Sequence, residues 1–305
     1  DFAKDTFDEV IVEDCILILR KNSDLSTKVR FVHVYDKIDV KMFEKITNEK
    51  KSFETKKMFV SLLEKNTLFE DHKWGKYLQL STNLIDSLRG ENLIPLSELA
   101  EVHRGIETDW NDFFILDNEK INNTGITDEF LTKIISSPKK LKMLNTKHKV
   151  SFDYLLSLNT ILKPSDKLRG IGRYIEVHYE KILEQEKNLI LKKHAQKNPD
   201  SWYVTKSFES SPIIFSYIIR KTKFFIKNSG NYLVRDNFYN ILPTEINSEV
   251  LISLLNSSLS RLQLELIGRR YGNGVLKIQA YELKGMLLPD IREMPEKIKK
   301  ELIET

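Results

Sequence analysis
The chain has 305 residues, of which 41% are hydrophobic and 30% charged, with a formal net charge of +4. That balance excludes a disordered or collagen-like chain and provides enough apolar surface for two or three domains. No run of about 18 apolar residues is present, which excludes a long apolar transmembrane helix, and no membrane partner is expected.

The opening DFAKDTFDEV is acidic and has neither an initiator Met nor an apolar core, so it does not read as a signal peptide. Asp1 reads as a cut within a longer protein. Residues 8–36 read as a β-hairpin: an apolar run from Val10 to Arg20, a turn at Asn22-Ser23-Asp24, and a second strand from Val29 to Tyr35. Both strands are apolar on both faces (Ile16, Leu17, Ile18; Phe31, Val32, Val34), as expected of strands inside an α/β sheet. A hairpin cannot bury such faces alone, so the partner strands are expected upstream of Asp1. Cys15 lies in this apolar run and reads as a buried, inert thiol. As the only cysteine it excludes an intrachain disulfide and fits a reducing cytoplasm.

Residues 41–94 read as a connector of short helices. The signal is the spacing of Phe59, Leu62, Leu63 and Leu68, then Trp74, Tyr77 and Leu78, then Leu84, Ile85 and Leu88 before Arg89-Gly90. Pro95 starts a new unit. Leu96–Ala100 is a short helix or turn, Phe113–Leu116 a strand, and Phe130–Leu144 a helix interrupted at Ser137-Pro138. Tyr174–Leu191 is helical, whereas Ile213–Arg220 and Lys223–Lys227 are β-rich. Leu251, Leu255, Leu259, Leu262 and Leu266 form the core stripe of a helix from Glu249 to Ile267. Val275–Ile278 and Gly285–Leu288 are short strands, and 291–305 is a charged tail. The fold class is α+β.

The charge is uneven. Residues 160–240 hold 15 Lys and Arg against 8 Asp and Glu, an excess of seven, while the rest of the chain is slightly acidic. Such a bias is expected where one face meets phosphates, and equally of a solvated, lysine-rich surface. The six histidines are scattered without zinc spacing. There is no Asn/Asp-Pro-Pro-Tyr/Phe tetrapeptide, no glycine-rich strand-to-helix turn followed by an acidic residue, no Walker loop and no Gly-x-Ser-x-Gly. No active site is expected in these residues.

Four segments carry binding chemistry. In Arg104-Gly105-Ile106-Glu107-Thr108-Asp109-Trp110-Asn111, Gly105 permits a tight turn or a close backbone approach. Arg104 offers a planar fork for phosphate or guanine, and Thr108 and Asn111 offer further hydrogen bonds. Lys221 and Lys223 precede Phe224 and Phe225, and Arg235-Asp236-Asn237 opens a loop-to-strand entry. Arg269-Arg270-Tyr271-Gly272-Asn273-Gly274 with Lys277 combines cations with a glycine-flanked turn whose amides suit an anion. Each segment also reads as ordinary surface: a solvated arginine, a basic strand edge over a core, or a glycine turn whose arginines favour the preceding helix dipole.

Taken in order, several pieces resemble the C-terminal half of γ-class adenine-specific DNA methyltransferases, the TaqI-like and Eco57I-like group that includes fused type IIG restriction–modification enzymes. They are Cys15-Ile16-Leu17-Ile18-Leu19, Trp74–Leu78, Leu96–Phe114, Ile135-Ser136-Ser137-Pro138, Ser201-Trp202-Tyr203, Asn237-Phe238-Tyr239, and Leu255-Asn256-Ser257-Ser258 through Gly274. The resemblance implies a terminal methyltransferase hairpin at 1–40 and a helical connector at 41–94. A DNA target-recognition domain at 95–290, similar to TaqI-like and type I specificity modules, and the charged tail complete the chain. It implies a double-stranded DNA partner and a catalytic methyltransferase domain upstream in the same chain. S-adenosylmethionine, and magnesium where a nuclease is fused, would belong to the parent protein. Arg104, Gly105, Thr108, Asn111, Lys221, Lys223, Arg235, Asn237, Arg269, Arg270, Tyr271, Asn273 and Lys277 are the expected DNA contacts. Where Asp109 stands, many relatives carry a second glycine, so Asp109 is expected to face a base donor or solvent. Two other classes remain open: a protein-interaction or scaffold domain of a restriction or phage-defence complex, and an RNA-modifying or tRNA-binding module.

Overall fold
The computed structural model describes residues 16–18, 21, 28–69, 74–78, 92–141, 144–147, 150–184, 189–220, 224–271, 274–292 and 294–304. The fold is mixed α+β with several small sheets, and the chain divides into two compact units. One comprises Asp1–Glu98, Ile218–Lys223 and Ser253–Thr305, the other Leu99–Tyr217 and Phe224–Ile252.

In the first unit, strand Lys28–Val34 pairs antiparallel with Met58–Glu64, which also pairs with Phe53–Glu54. One face of this sheet packs Val32, Met58 and Val60 under Met42 and Ile46 of helix Val40–Asn48. That helix is started by Asp39, whose carboxylate accepts from the Met42 amide at 2.9 Å. The other face packs Val29, Phe31 and Leu63 against Leu68 and Tyr77. Residues 58–64 are therefore a strand and not the expected helix. A run buried on both sides, with Val60 and Leu62 facing one way and Phe59 and Leu63 the other, has no clean period. The first arm of the expected hairpin, Cys15 included, lies almost wholly outside the described residues. Ile16, Leu17 and Ile18 are exposed, not buried. Leu84, Ile85 and Leu88 are also outside the described residues.

The same unit contains a hairpin of Arg269–Tyr271 and Val275–Lys277, extended by Ile218–Ile219, and the strand pair Leu93–Pro95 with Leu287–Pro289. The expected helix over 249–267 is broken into Ser248–Leu255 and Ser258–Ile267, bent by 63°. Ser257 causes the break by capping the second segment, its hydroxyl accepting from the Ser260 amide at 3.2 Å. Among the described residues no single helix is long and apolar enough to cross a membrane. The expected tail contains a helix, Glu296–Glu304.

The second unit is built on two four-stranded sheets. The first runs in the order Ile226–Lys227, Ile213–Ser216, Phe238–Pro243, Ala100–Arg104 and is antiparallel throughout. The second runs Leu233–Val234, Leu131–Ile135, Asp153–Leu156, Ile115–Leu116, with one parallel pair. Helix Gly170–Glu184 and helix Leu189–Lys197 bring Ile171, Tyr174, Ile182 and Ala195 to a core with Trp110, Phe113, Leu155 and Trp202. Two expectations fail here. Leu131–Ile135 is a strand, because Ile134 and Ile135 are both buried between layers. Asn111–Phe114 is a helical turn, and only Ile115–Leu116 is strand, because Phe113 and Phe114 fold back into the core.

Candidate nucleic-acid interface
In the second unit the chain passes from one sheet to the other at Gly105. Arg104 is the last residue of its strand, opposite Tyr239. Beyond it, the Gly105 amide donates to the Phe238 carbonyl (2.9 Å) and the Ile106 amide to the Val234 carbonyl (2.8 Å). The Asp236 amide returns a bond to the Ile106 carbonyl (2.9 Å). A Cβ at position 105 would stand 2.6 Å from the Val234 carbonyl oxygen and from the Arg235 carbonyl carbon, and closer still to the Arg235 oxygen. Only glycine fits such an approach, so the close approach read from the sequence at Gly105 is present.

This junction gathers four of the expected contact residues. The Arg104 Nε donates to the Asp236 carbonyl at 2.9 Å, and its terminal nitrogen lies 3.7 Å from the Asp236 carboxylate. Its guanidinium sits 5.5 Å over the Tyr217 ring, which is tilted against Tyr239 at 5.8 Å. Arg235 reaches the same carboxylate at 3.1 Å, while its Nε is buried without a hydrogen-bond partner. The Asn237 amide donates to the Ser136 carbonyl at 3.0 Å, leaving its Oδ1 buried and unpaired. Behind it the Ser136 hydroxyl donates to Asp153, which Lys140 also holds at 2.5 Å. Two cations thus share one carboxylate, so the junction keeps a net positive charge. The Arg104 side chain is 50% exposed. In the loop beyond, the Thr108 hydroxyl donates to the Asn111 side-chain oxygen at 2.6 Å, so the Asn111 amide nitrogen stays out of that bond. Asp109 is exposed.

The second constellation lies in the first unit. Arg269 faces Lys277 across the hairpin, which sets two cations side by side on one face, with Tyr271 opposite Val275 on that face. Gly274 closes the turn at φ +67°, a left-handed conformation that glycine adopts without strain. The arginines are not free cations. Arg269 donates to the Tyr281 hydroxyl at 2.9 Å and lies 3.5 Å from the buried Glu282 carboxylate. The Tyr281 hydroxyl and this carboxylate raise its already high pKa further. Arg270 lies 3.5 Å from Glu265. Lys221, Lys223 and Asn273 lie outside the described residues.

The sequence reading missed the supporting groups. Nothing local joins Asn237 to Ser136 or Arg104 to Asp236, which are 101 and 132 residues apart. Tyr217 lies inside the run Ile213–Arg220 that reads as β-rich, with no separate signal of its own. Trp202 and Tyr203 are buried, and the Tyr203 hydroxyl accepts from the Leu162 amide at 3.1 Å. Part of the basic excess is paired as well: Arg169 with Glu129 and Asp166, and Lys227 with Glu249. Among the described residues no group of three or more His, Cys, Asp or Glu could hold a metal ion.

Residues 71–305 match the family described as type II methyltransferase M.Eco57I, C-terminal domain. Over 295 residues the chain is 26% identical to type II methyltransferase M.AccI of Acinetobacter calcoaceticus, covering 94% of this chain and 52% of that protein. It is 24% identical over 227 residues to type II methyltransferase M.PaeR7I of Pseudomonas aeruginosa, covering 71% of this chain and 37% of that protein. The chain therefore spans about half or less of the length of these relatives. In structure it is similar to the type IIG restriction endonuclease BpuSI, with a TM-score of 0.55 at 13% identity, over 91% of this chain and 34% of that one.

Proposed function
This chain belongs to the type II methyltransferase M.Eco57I C-terminal domain family, and from that premise we propose that it reads duplex DNA for an adenine-N6 methyltransferase or a fused restriction–modification enzyme. In this reading it positions a specific sequence so that a catalytic domain upstream in the same chain flips the adenine and methylates it in the cytoplasm. The second unit then acts as a recognition module of the TaqI-like and type I specificity kind.

The observation that carries the proposal is the Arg104 guanidinium. It is half exposed and fixed from three sides by the Asp236 carbonyl, the Asp236 carboxylate and the Tyr217 ring. A guanidinium oriented before binding suits bidentate contact with a guanine edge or a phosphate, because less rotamer freedom is lost on docking. Arg235, Asn237 and Gly105 hold that geometry from behind. Thr108 orients Asn111 toward a base edge. Arg269, Arg270, Tyr271, Asn273 and Lys277, with Lys221 and Lys223, set register on the backbone phosphates.

S-adenosylmethionine supplies the methyl group when bound to the catalytic domain. The described residues do not fit it, since no acidic side chain follows a glycine-rich strand-to-helix turn where its ribose would sit. Magnesium for a fused nuclease likewise has no ligand set among them.

Selection from a randomised duplex pool at low salt should enrich a motif. Arg104→Ala should lower discrimination at one position by about 1–3 kcal/mol, roughly 5- to 150-fold. Absent or salt-independent binding would refute the proposal.

A further inference from the structure
In the first unit, well away in sequence from the residues of the candidate interface, lies a cavity of about 280 Å³ lined by Lys28, Arg30, Lys50 and Leu62. The strand register builds it. Lys28 and Arg30 alternate onto one face of the sheet, opposite Glu64 and Leu62 respectively. Farther along that face, Val32, Met58 and Val60 are covered by Met42 and Ile46 of helix Val40–Asn48. The helix ends beside the uncovered part, with Glu49 as its C-cap and Lys50 just beyond. Arg30 donates to the Glu49 carbonyl at 3.0 Å, which fixes its guanidinium at the cavity wall. Its Nε is buried with no hydrogen-bond partner.

Three cations therefore converge over a leucine floor. Among the described residues, the acid paired with one of them is Glu64, 3.1 Å from Lys28, with both side chains about half exposed. Such a surface pair is worth under about 1 kcal/mol, so a competing anion can displace it. The volume falls just short of the roughly 300 Å³ at which drug-sized sites begin, and it suits a phosphate with part of its sugar. The apolar floor matches a sugar carbon and the cations match the charge.

We infer that the cavity lined by Lys28, Arg30, Lys50 and Leu62 is a sequence-independent docking site for a backbone phosphate of duplex DNA. The inference rests on the proposal that the chain binds duplex DNA, and it adds a contact outside the recognition residues. Lys28 and Lys50 hold the phosphate as point charges, and Arg30 holds it from the wall.

Two readouts test it on the full chain. The first is acetylation footprinting of the unaltered protein. Random-sequence duplex should protect Lys28 and Lys50, whereas inorganic phosphate at matched ionic strength should not. Protection by inorganic phosphate equal to that by duplex would overturn the backbone assignment in favour of a free-anion site. The second is binding of random-sequence duplex by the double variant Lys28→Ala/Lys50→Ala across a salt series. Its log–log slope should become shallower by roughly 0.9, the value for one phosphate contact. An unchanged slope and affinity, with Arg104→Ala still impairing recognition, would overturn this inference and leave the proposed function standing. Failure of the unaltered protein to bind any duplex would instead overturn both.

Discussion
Gly105→Ala is the most informative single substitution, because the structure fixes both its size and its reach. The added methyl carbon would stand 2.6 Å from the Val234 oxygen and the Arg235 carbonyl carbon, against 3.4–4 Å for ordinary contact. These are backbone atoms at the end of strand Leu233–Val234, so they cannot swing aside as a side-chain tip would. The segments must part by roughly 1 Å, an overpacking strain of about 1–3 kcal/mol. That movement also stretches the bonds from Gly105 to Phe238, from Ile106 to Val234 and from Asp236 to Ile106. Each contributes about 1 kcal/mol, so a total loss of about 2–4 kcal/mol is expected. Asp236 moves with the strain, and Arg104 loses its anchor. Urea denaturation followed by circular dichroism reads the stability, and duplex binding reads the anchor. Gly75→Ala is the control: nothing lies within 4 Å of its added carbon, and a change below about 0.5 kcal/mol is expected. A Gly105→Ala protein as stable as the Gly75→Ala protein would refute the claim that the two sheets are locked at this crossing.

Three further outcomes follow from the geometry. Gln263 is 7% exposed, and its amide closes two 2.7 Å bonds with the Leu287 backbone; Gln263→Met keeps the volume and strands both groups, so the urea midpoint should fall by the equivalent of about 2 kcal/mol, and an unchanged midpoint would show that those bonds are replaceable. Asp236→Asn removes the one carboxylate that Arg104 and Arg235 share, so binding to random duplex should steepen in salt dependence by up to about one charge while discrimination falls; an unchanged slope would separate this junction from the DNA. His178 is half-buried against Trp110, Phe113 and Tyr174, and burial lowers its pKa from 6.5, with Lys181 and Lys120 adding to the effect. A depressed folded-state pKa gives stability that is present above about pH 6.5 and lost as pH falls through the folded value. Denaturation midpoints should therefore drop between about pH 7.5 and about pH 5, and His178→Phe should remove the part of that drop due to this residue.

The sequence showed where the chain bends and where it is charged, but not what those charges meet. Glycine at 105 and 274 was legible because a close approach and a left-handed turn each require a missing side chain. The leucine stripe concealed the bend at Ser257, since a 3.6-residue stripe continues across a break of two residues. The error at 58–64 has the same root. A strand buried on both faces by a helix and by aromatic turns shows an apolar run and no alternation, and its helical spacing is an accident of Phe59 and Leu62-Leu63. The partners of Arg104, Arg269 and Asn237 were illegible for another reason. Asp236, Glu282 and Ser136 are set by sheet pairing and by one short helix, and no local pattern encodes a contact 101 or 132 residues away.

Those partners change the physical meaning of the arginines. A lysine-rich surface with free cations would bind any polyanion through counterion release, with affinity following charge alone. Here Arg104, Arg235, Arg269 and Arg270 each face a carboxylate of the chain itself. Each pair gives up part of its attraction for phosphate, and in return holds a planar fork in one orientation before any ligand arrives. Long-range attraction has to come from elsewhere on the surface, and Lys28 on strand Lys28–Val34 and Lys50 just beyond helix Val40–Asn48 have the chemistry for it. If the proposed function holds, it implies a division of labour, in which loosely held lysines supply affinity without sequence preference and carboxylate-tethered arginines supply register and discrimination. It predicts opposite signatures for the two classes of substitution. Removing lysines should change the salt slope and spare the recognised sequence. Removing Arg104 should blur the sequence preference by more than the loss of one charge explains.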